Sequence, residues 1–136
     1  MKLDKKAHST FMLTYHLVLC VKYRRKVIDD MVGAEIGTLG EAIARSFDIC
    51  FLEYNHDRDH VHVLFKASPS TELSKFIGVF KSSTSRTIRS KFPLVKRRLW
   101  GNAFWSPSFC LLTTGGAPLD TLVKYIQSQG TQGALP

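Results

Sequence analysis

Cysteine is scarce in this sequence, and its spacing indicates no disulfide framework. Among 136 residues there are three cysteines, Cys20, Cys50 and Cys110, and none belongs to a C-x-x-C pair. An odd number of scattered cysteines is typical neither of a disulfide scaffold nor of a zinc ribbon. The composition therefore predicts reduced, buried thiols in a cytoplasmic protein.

The sequence also lacks an apolar run of membrane-spanning length. The run from Phe11 to Val21 is apolar, but it is too short to cross a bilayer, contains Tyr15 and His16, and has no small-residue cleavage site. Internal repeats, low-complexity tracts and interdomain linkers are absent as well. We therefore expect a single domain over residues 1–136 and no membrane partner.

Acidic residues are nearly absent from one segment. Between Lys66 and Trp100 there are nine basic residues and one acid, Glu72, so this segment accounts for the whole net charge of +8. Such a concentration of positive charge predicts a polyanionic partner, with nucleic acid as the first candidate. A solvated helix face gives the same pattern. The candidate phosphate-binding residues of this segment are Lys75, Lys81, Arg86 and Arg89. A second basic cluster adds Lys22, Arg24 and Arg25.

Hydrophobic periodicity predicts seven elements. Strands are expected over 10–21, 49–54, 60–66 and 104–113, with helices after Asp29-Asp30, between Pro69 and Pro93, and from about Pro118. The order β-α-β-β-α-β-α predicts an α+β fold, with a ferredoxin-like (RRM-like) split βαβ antiparallel sheet and two helices on one face. The last helix, which carries Tyr125, is additional to that arrangement.

The tripeptide His60-Val61-His62 lies in the third predicted strand. Because side chains alternate along a strand, both imidazoles lie on one face, while Val61, Val63 and Phe65 lie on the other and should face the helices. Two imidazoles can share one divalent cation. The pattern also occurs as two half-exposed strand histidines without a metal.

Tyr125 and Gln129 are four residues apart on the last predicted helix, so they are neighbours on one face. Tyr125 lies at the edge of the apolar stripe. It is either an amphipathic residue on a helix flank or a nucleophile. A phenol has a pKa of about 10 and needs a metal-polarised phosphate or a base to attack at neutral pH. The Gln129 carboxamide can complete the coordination of such a metal.

These residues occur within motifs that extend from about Tyr15 to Gln129. In order, the motifs are Tyr15-His16-Leu17-Val18, Lys22-Tyr23-Arg24-Arg25-Lys26-Val27, Asp59-His60-Val61-His62-Val63-Leu64, Leu99-Trp100, Phe104-Trp105-Ser106, Gly115-Gly116-Ala117-Pro118 and Lys124-Tyr125-Ile126-Gln127-Ser128-Gln129. Together they resemble the single-tyrosine HUH transposases of the insertion-sequence two-hundred and six-hundred-five type.

The resemblance implies a transposase that acts on single-stranded DNA. His60, His62 and Gln129 would bind Mg²⁺ or Mn²⁺, and Tyr125 would attack the scissile phosphate to give a 5′-phosphotyrosine and a free 3′-OH. A second transesterification would rejoin the strands. The resemblance also implies a homodimer that binds DNA hairpins at the ends of the element. The last helix would be able to move at the Gly115-Gly116 break and dock on the partner.

Two other classes of protein fit part of the pattern. A non-enzymatic nucleic-acid-binding module of the RRM type has the same element order, but it stacks bases on aromatic residues where this sequence has histidines. A related HUH nuclease, either a replication initiator or a domesticated transposase that binds palindromes, would share the chemistry and differ in its DNA target. A zinc deaminase does not fit, because no H-x-E with a later P-C-x-x-C occurs.

Overall fold

The computed structural model describes residues 12–99 and 101–113, which form a four-stranded sheet with helices packed against it. A single turn, Lys22–Arg24, follows the first strand. The strands are β1 (Leu13–Val21), β2 (Cys50–His56), β3 (His60–Ala67) and β4 (Trp105–Thr113), and the helices are α1 (Asp30–Arg45), α2 (Leu73–Lys91) and α3 (Pro93–Arg98). Within these residues no helix is both long enough and apolar enough to cross a membrane.

The strand order is β2-β3-β1-β4, and every neighbouring pair is antiparallel. β3 therefore lies between the two strands that flank α1 in the sequence, which is the split βαβ arrangement. This confirms the predicted ferredoxin-like α+β fold. The predicted last helix, with Tyr125 and Gln129, and the Gly115-Gly116 break before it lie outside the described residues.

Element boundaries follow the sequence prediction closely, and the two main differences concern the end of β2 and the helix that begins at Pro93. The Asp29 carboxylate caps α1 as predicted, by accepting a backbone hydrogen bond of 2.8 Å. β2 continues to His56, two residues beyond the prediction, because its ladder with β3 continues through Asn55, and the turn shortens to residues 57–59. Pro93 ends α2 as predicted, but it also begins α3. A backbone N–H at the start of a helix has no partner within the helix, so a proline there costs no intrahelical hydrogen bond.

Side-chain alternation divides the sheet into two faces. On the helix face, Leu17, Leu19, Val61, Val63 and Phe65 are almost fully buried in the core formed with α1 and α2. The predicted apolar side of β3 therefore faces the helices. The opposite face, which we call the histidine face, contains three rows of paired residues: Cys20 with His60; Cys110, Val18 and His62; and Leu112, His16 and Leu64.

Helix α1 lies very close to α2 at Gly40. A methyl group built on Gly40 would lie 2.6 Å from the ring of Phe80, which is fully buried. We expect Gly40→Ala to lower the free energy of unfolding by about 1–3 kcal/mol in urea denaturation, because a packed ring must move. This strain acts against the gain in helix propensity from glycine to alanine, which is about 1 kcal/mol.

Gly78, in the middle of α2, provides the matched control. Apart from the two adjoining residues and the nearby backbone of α2 itself, no atom of the described residues lies within 4 Å of a methyl group built there. Gly78→Ala should therefore raise the free energy of unfolding by about 0.5–1 kcal/mol through backbone entropy alone. Equal stabilisation by the two substitutions would mean that Phe80 moves aside without cost.

Candidate active site

The two predicted metal ligands lie next to each other on the histidine face, at the start of β3. His60 and His62 pair in register with Cys20 and Val18 of β1. Only 8% of the surface of His60 and 4% of that of His62 are exposed. The pair is therefore more deeply buried than half-exposed strand histidines, and its ring nitrogens must be satisfied by the protein or by a ligand.

Asp59 fixes the orientation of the His60 ring. Its carboxylate accepts a hydrogen bond from His60 Nδ1 at 2.9 Å and another from Arg24 Nε at 3.4 Å. Burial alone would raise the pKa of Asp59, but the hydrogen bond and charge of His60, with the charges of Arg24 and Lys26, lower this pKa below its usual value. In the neutral form of His60 the ionised carboxylate holds the single ring proton on Nδ1, which leaves the Nε2 lone pair for a ligand.

The turn after β1 brings Arg24 to Asp59. Tyr23 and Arg24 both adopt the left-handed backbone conformation, with φ angles of 57° and 53°. Such angles are uncommon for residues other than glycine. The Arg24–Asp59 contact and a 2.9 Å backbone hydrogen bond from Lys22 N hold the turn. The predicted basic cluster is thus fixed beside the start of β3, with Lys22 and Arg24 half-buried and Arg25 exposed.

His16 holds the ring of His62. The atoms His16 Nδ1 and His62 Nε2 are 2.9 Å apart, and the two rings stack with centroids 5.2 Å apart. Burial, and then the charge of His16, lowers the pKa of His62, so that its ring is neutral at neutral pH. The other nitrogen of His62, Nδ1, is buried and has no hydrogen-bond partner among the residues that the structure describes. It is an unused ligand position.

The donor set fits a divalent metal ion. His60 Nε2 and His62 Nδ1 are imidazole nitrogens from two same-face positions of one strand, and neither is engaged by the contacts that orient the rings. Within residues 12–99 and 101–113, no group of three or more His, Cys, Asp or Glu side chains is arranged to hold a metal. Any further ligand from these described residues would therefore be of another kind. Gln129, the predicted third ligand, lies outside the described residues.

Cys20 lies beside His60 on the histidine face but is not a competing nucleophile. Burial, followed by the charge of Asp59, raises the pKa of the Cys20 thiol to about 12, so the thiol is protonated at neutral pH. The predicted burial of the thiols is correct for Cys20 and Cys110 but wrong for Cys50, which is exposed because β2 is an edge strand.

The four basic residues of α2 that are predicted to contact DNA differ in their surroundings within the protein. Lys75 and Arg86 are exposed. Arg89 is hydrogen-bonded to two neighbouring side chains, at 3.2 and 3.3 Å. Lys81 is half-buried, and its ammonium donates to two carbonyl oxygens of β4, at 2.9 and 3.2 Å. Lys81 therefore attaches α2 to β4, whereas Arg86 is exposed and Lys75 is exposed at 3.9 Å from the Glu72 carboxylate.

Sequence patterns did not single out two residues of the site, Asp59 and His16. Both stand in motifs named above, Asp59 immediately before His60 and His16 in β1. A carboxylate next to a metal-ligating histidine is a recognisable signal that could have identified Asp59. No comparable signal exists for His16, because only the register of β1 against β3 makes it a diagonal neighbour of His62.

The fold agrees with the comparisons with known proteins. The chain matches the family described as "Transposase IS200 like" over residues 9–129, which is nearly its whole length. It therefore belongs to the IS200-like transposase family and is a DNA transposase, an enzyme that cleaves and transfers DNA strands. The non-enzymatic RRM-like alternative is set aside by this match.

Individual relatives support the same assignment. The ISDra2 transposase TnpA of Deinococcus radiodurans is 33% identical over 119 residues, which cover 88% of this chain and 85% of the relative. The transposase for insertion sequence element IS200 of Salmonella typhimurium is 26% identical over 109 residues, which cover 80% of this chain and 72% of that protein.

Solved structures give the same fold. The crystal structure of a putative transposase from Deinococcus radiodurans R1 superposes with a TM-score of 0.79 at 30% identity, covering 88% of this chain and 92% of the other. A REP-associated tyrosine transposase bound to a REP hairpin superposes with a TM-score of 0.58 at 11% identity, covering 85% of this chain and 61% of the other. The second similarity concerns the fold alone.

Proposed function

We propose that this transposase cleaves and rejoins single-stranded DNA through Tyr125, at a divalent-metal site formed by His60, His62 and Gln129. The observation that carries the proposal is the pair of buried, oriented imidazoles on β3, with His62 Nδ1 unpartnered among the described residues and His60 held by Asp59. The choice of Mg²⁺ or Mn²⁺ rests on the family resemblance. When bound, such an ion would polarise the scissile phosphate.

Tyr125 is one of four tyrosines, and the structure disfavours two of the others as nucleophiles. Tyr15 is buried on the helix face, stacked on a phenylalanine of β3. The hydroxyl of Tyr54 donates to the Gly33 carbonyl oxygen at 2.6 Å, and burial raises the pKa of Tyr54 far above its usual value. Tyr23 is exposed in the turn after β1, so it provides a control for any test of Tyr125.

The proposed reaction conserves the number of phosphodiester bonds. The Tyr125 oxygen attacks the scissile phosphorus and loses its proton, while the bond from phosphorus to the 3′-oxygen breaks and that oxygen takes up a proton. A 3′-OH then attacks the phosphorus of the resulting 5′-phosphotyrosine and loses its proton. The bond from phosphorus to the Tyr125 oxygen breaks, that oxygen takes up a proton, and the new phosphodiester is formed. No external energy source is needed, because each step exchanges one phosphate ester for another.

We propose that hairpin ends of single-stranded DNA are bound through two basic surfaces. The first is the turn with Lys22, Arg24 and Arg25, which adjoins the start of β3. The second is α2, where Arg86 and Lys75 are exposed. A transposase of the same fold is bound to a REP hairpin, and the proposal extends this type of ligand to the present protein.

We propose a homodimer formed through β4. Among the described strands, β4 pairs with β1 on one side only, so its other edge offers unpaired backbone groups. Phe109 and Leu112 on this strand are 40% and 39% exposed. Pairing with β4 of a second copy would satisfy the edge and close a two-fold dimer.

The test of the proposed function is a search for a covalent protein–DNA species. The protein is incubated with labelled single-stranded oligonucleotides that carry the ends of its own element, with Mg²⁺ and with a chelator in parallel, and analysed on a denaturing gel. We expect a shifted, protease-sensitive band only with the metal. Specific binding without such a band, with Mg²⁺ and with Mn²⁺, would reject the phosphotyrosine mechanism.

DNA binding should weaken steeply with salt. Each contacted phosphate of a single strand contributes about −0.7 to the slope of log K against log salt concentration, because bound counterions are released. We expect Arg86→Gln to make this slope shallower by about one phosphate contact. Fluorescence anisotropy at several salt concentrations measures the slope.

Lys81→Gln is the comparison for Arg86→Gln, because the Lys81 ammonium already donates to two carbonyl oxygens of β4. It should change the slope less and lower the stability of the protein more. A wild-type slope near zero would mean that the basic residues form only a solvated surface.

A further inference from the structure

The side chain of His16 has no place in the chemistry proposed above. It lies in β1, on the histidine face, two residues from Val18, which pairs with His62. Its ring stacks on His62 at an angle of 22°, and the two rings are joined by a hydrogen bond of 2.9 Å. Its ring contacts His62, so any influence it has on the site acts through His62.

The hydrogen bond between His16 Nδ1 and His62 Nε2 contains one proton. Which of the two rings donates this proton determines the tautomer of His62. If His16 donated this proton, the proton of the neutral His62 ring would have to sit on Nδ1. That atom is buried, and none of the described residues accepts a hydrogen bond from it. A buried N–H without an acceptor is rare and unfavourable in folded proteins, more so than a buried lone pair.

We infer that His16 is a positioning residue. It accepts the Nε2 proton of His62 and thereby keeps His62 in the tautomer whose Nδ1 lone pair is free. The use of that lone pair for a metal rests on the proposed function. Asp59 holds His60 in the opposite tautomer, with its proton on Nδ1. The two ligands would therefore present different nitrogens to the ion, Nε2 from His60 and Nδ1 from His62.

Two substitutions separate the hydrogen bond from the ring stacking. His16→Phe keeps an aromatic ring beside His62 but removes the acceptor. His16→Asn removes the ring but offers an amide oxygen close to the position of Nδ1. A role in packing alone predicts that phenylalanine is the better replacement, whereas the positioning role predicts asparagine. His56→Asn is the matched control, because His56 is a half-buried histidine on the helix face of β2 and does not contact the site.

The tautomer is measured first, without metal, by nitrogen-15 NMR of histidine-labelled full-length protein, well above the ordinary histidine pKa of about 6.5. We expect His62 to be protonated on Nε2 in the wild type and in His16→Asn, and to lose this preference in His16→Phe. Titration with Mn²⁺ alone, followed by electron paramagnetic resonance, should show affinity about 10–100-fold lower for His16→Phe. His16→Asn should retain most of the affinity, and His56→Asn all of it.

Either of two results would overturn the inference. The first is a wild-type His62 that carries its proton on Nδ1. The second is a folded His16→Phe variant with unchanged Mn²⁺ affinity; if that variant does not fold, the wild-type spectrum decides. A wild type that binds no Mn²⁺ but keeps the His62 proton on Nε2 would reject the metal site of the proposed function and support the hydrogen bond from His62 to His16.

Discussion

Replacing Tyr125 by phenylalanine should abolish the covalent protein–DNA species and lower strand cleavage by at least about three orders of magnitude. The substitution removes only the attacking oxygen, so the metal ligands, the basic surfaces and the fold are left in place. Hairpin binding should therefore remain at the wild-type level. Denaturing gel electrophoresis with end-labelled single-stranded DNA measures the adduct, and fluorescence anisotropy measures the binding.

Tyr23→Phe is the matched control for this experiment, because Tyr23 is the exposed tyrosine of the turn that leads to Arg24 and Asp59. It should leave the adduct intact. An adduct that persists in Tyr125→Phe and disappears in Tyr23→Phe would assign the nucleophile to the turn after β1. An adduct that persists in both would contradict a tyrosine nucleophile at either position.

Mixing two inactive variants should restore cleavage if each active site is shared between two chains. One variant is Tyr125→Phe, and the other is the double substitution His60→Ala and His62→Ala, which removes two metal ligands and should end cleavage on its own. In a heterodimer with shared sites, one site carries all three changes and the other is intact. Activity should then return to about half the wild-type value per heterodimer, since one of two sites works.

The structural basis for this expectation is the position of β4 at the edge of the sheet, with the predicted Gly115-Gly116 break following it. Heterodimer formation must be verified, for example with two different affinity tags, before the activity is compared. Continued inactivity of a verified heterodimer would show that each site is built within one chain. That result would leave the proposed roles of His60, His62 and Tyr125 unchanged.

The faces of β3 show how much of the fold could be predicted. A strand repeats every two residues, so the sequence of β3 alone assigned Val61, Val63 and Phe65 to the helix face and the two histidines to the opposite face, as the structure confirms. Element order then restricted the topology to the split βαβ arrangement. The end of β2 was less predictable, because Asn55 and His56 have turn-forming character that pairing with β3 overrides.

The basic residues show where prediction from sequence stops. Charge identified Lys81 and Arg86 equally, because a sequence records which residues are cationic but not what faces them. The structure separates them, since β4 supplies two carbonyl oxygens to Lys81 and Arg86 is exposed. Gly40 in α1 is a second example. Helix propensity alone marks this glycine as a weak point of the helix, whereas the close approach of the Phe80 ring leaves no room for a side chain there.

The sequence by itself determined the class of fold, the common face of His60 and His62, and the family, because each of these depends on local periodicity or on the order of short motifs. Only the tertiary structure decided how the two imidazoles are held. Asp59 reaches both His60 and Arg24 because β3 begins beside the turn that follows β1. His16 meets His62 from 46 positions away, through the register of two antiparallel strands. Contacts between side chains distant in sequence depend on that register, which neither residue's own neighbours encode.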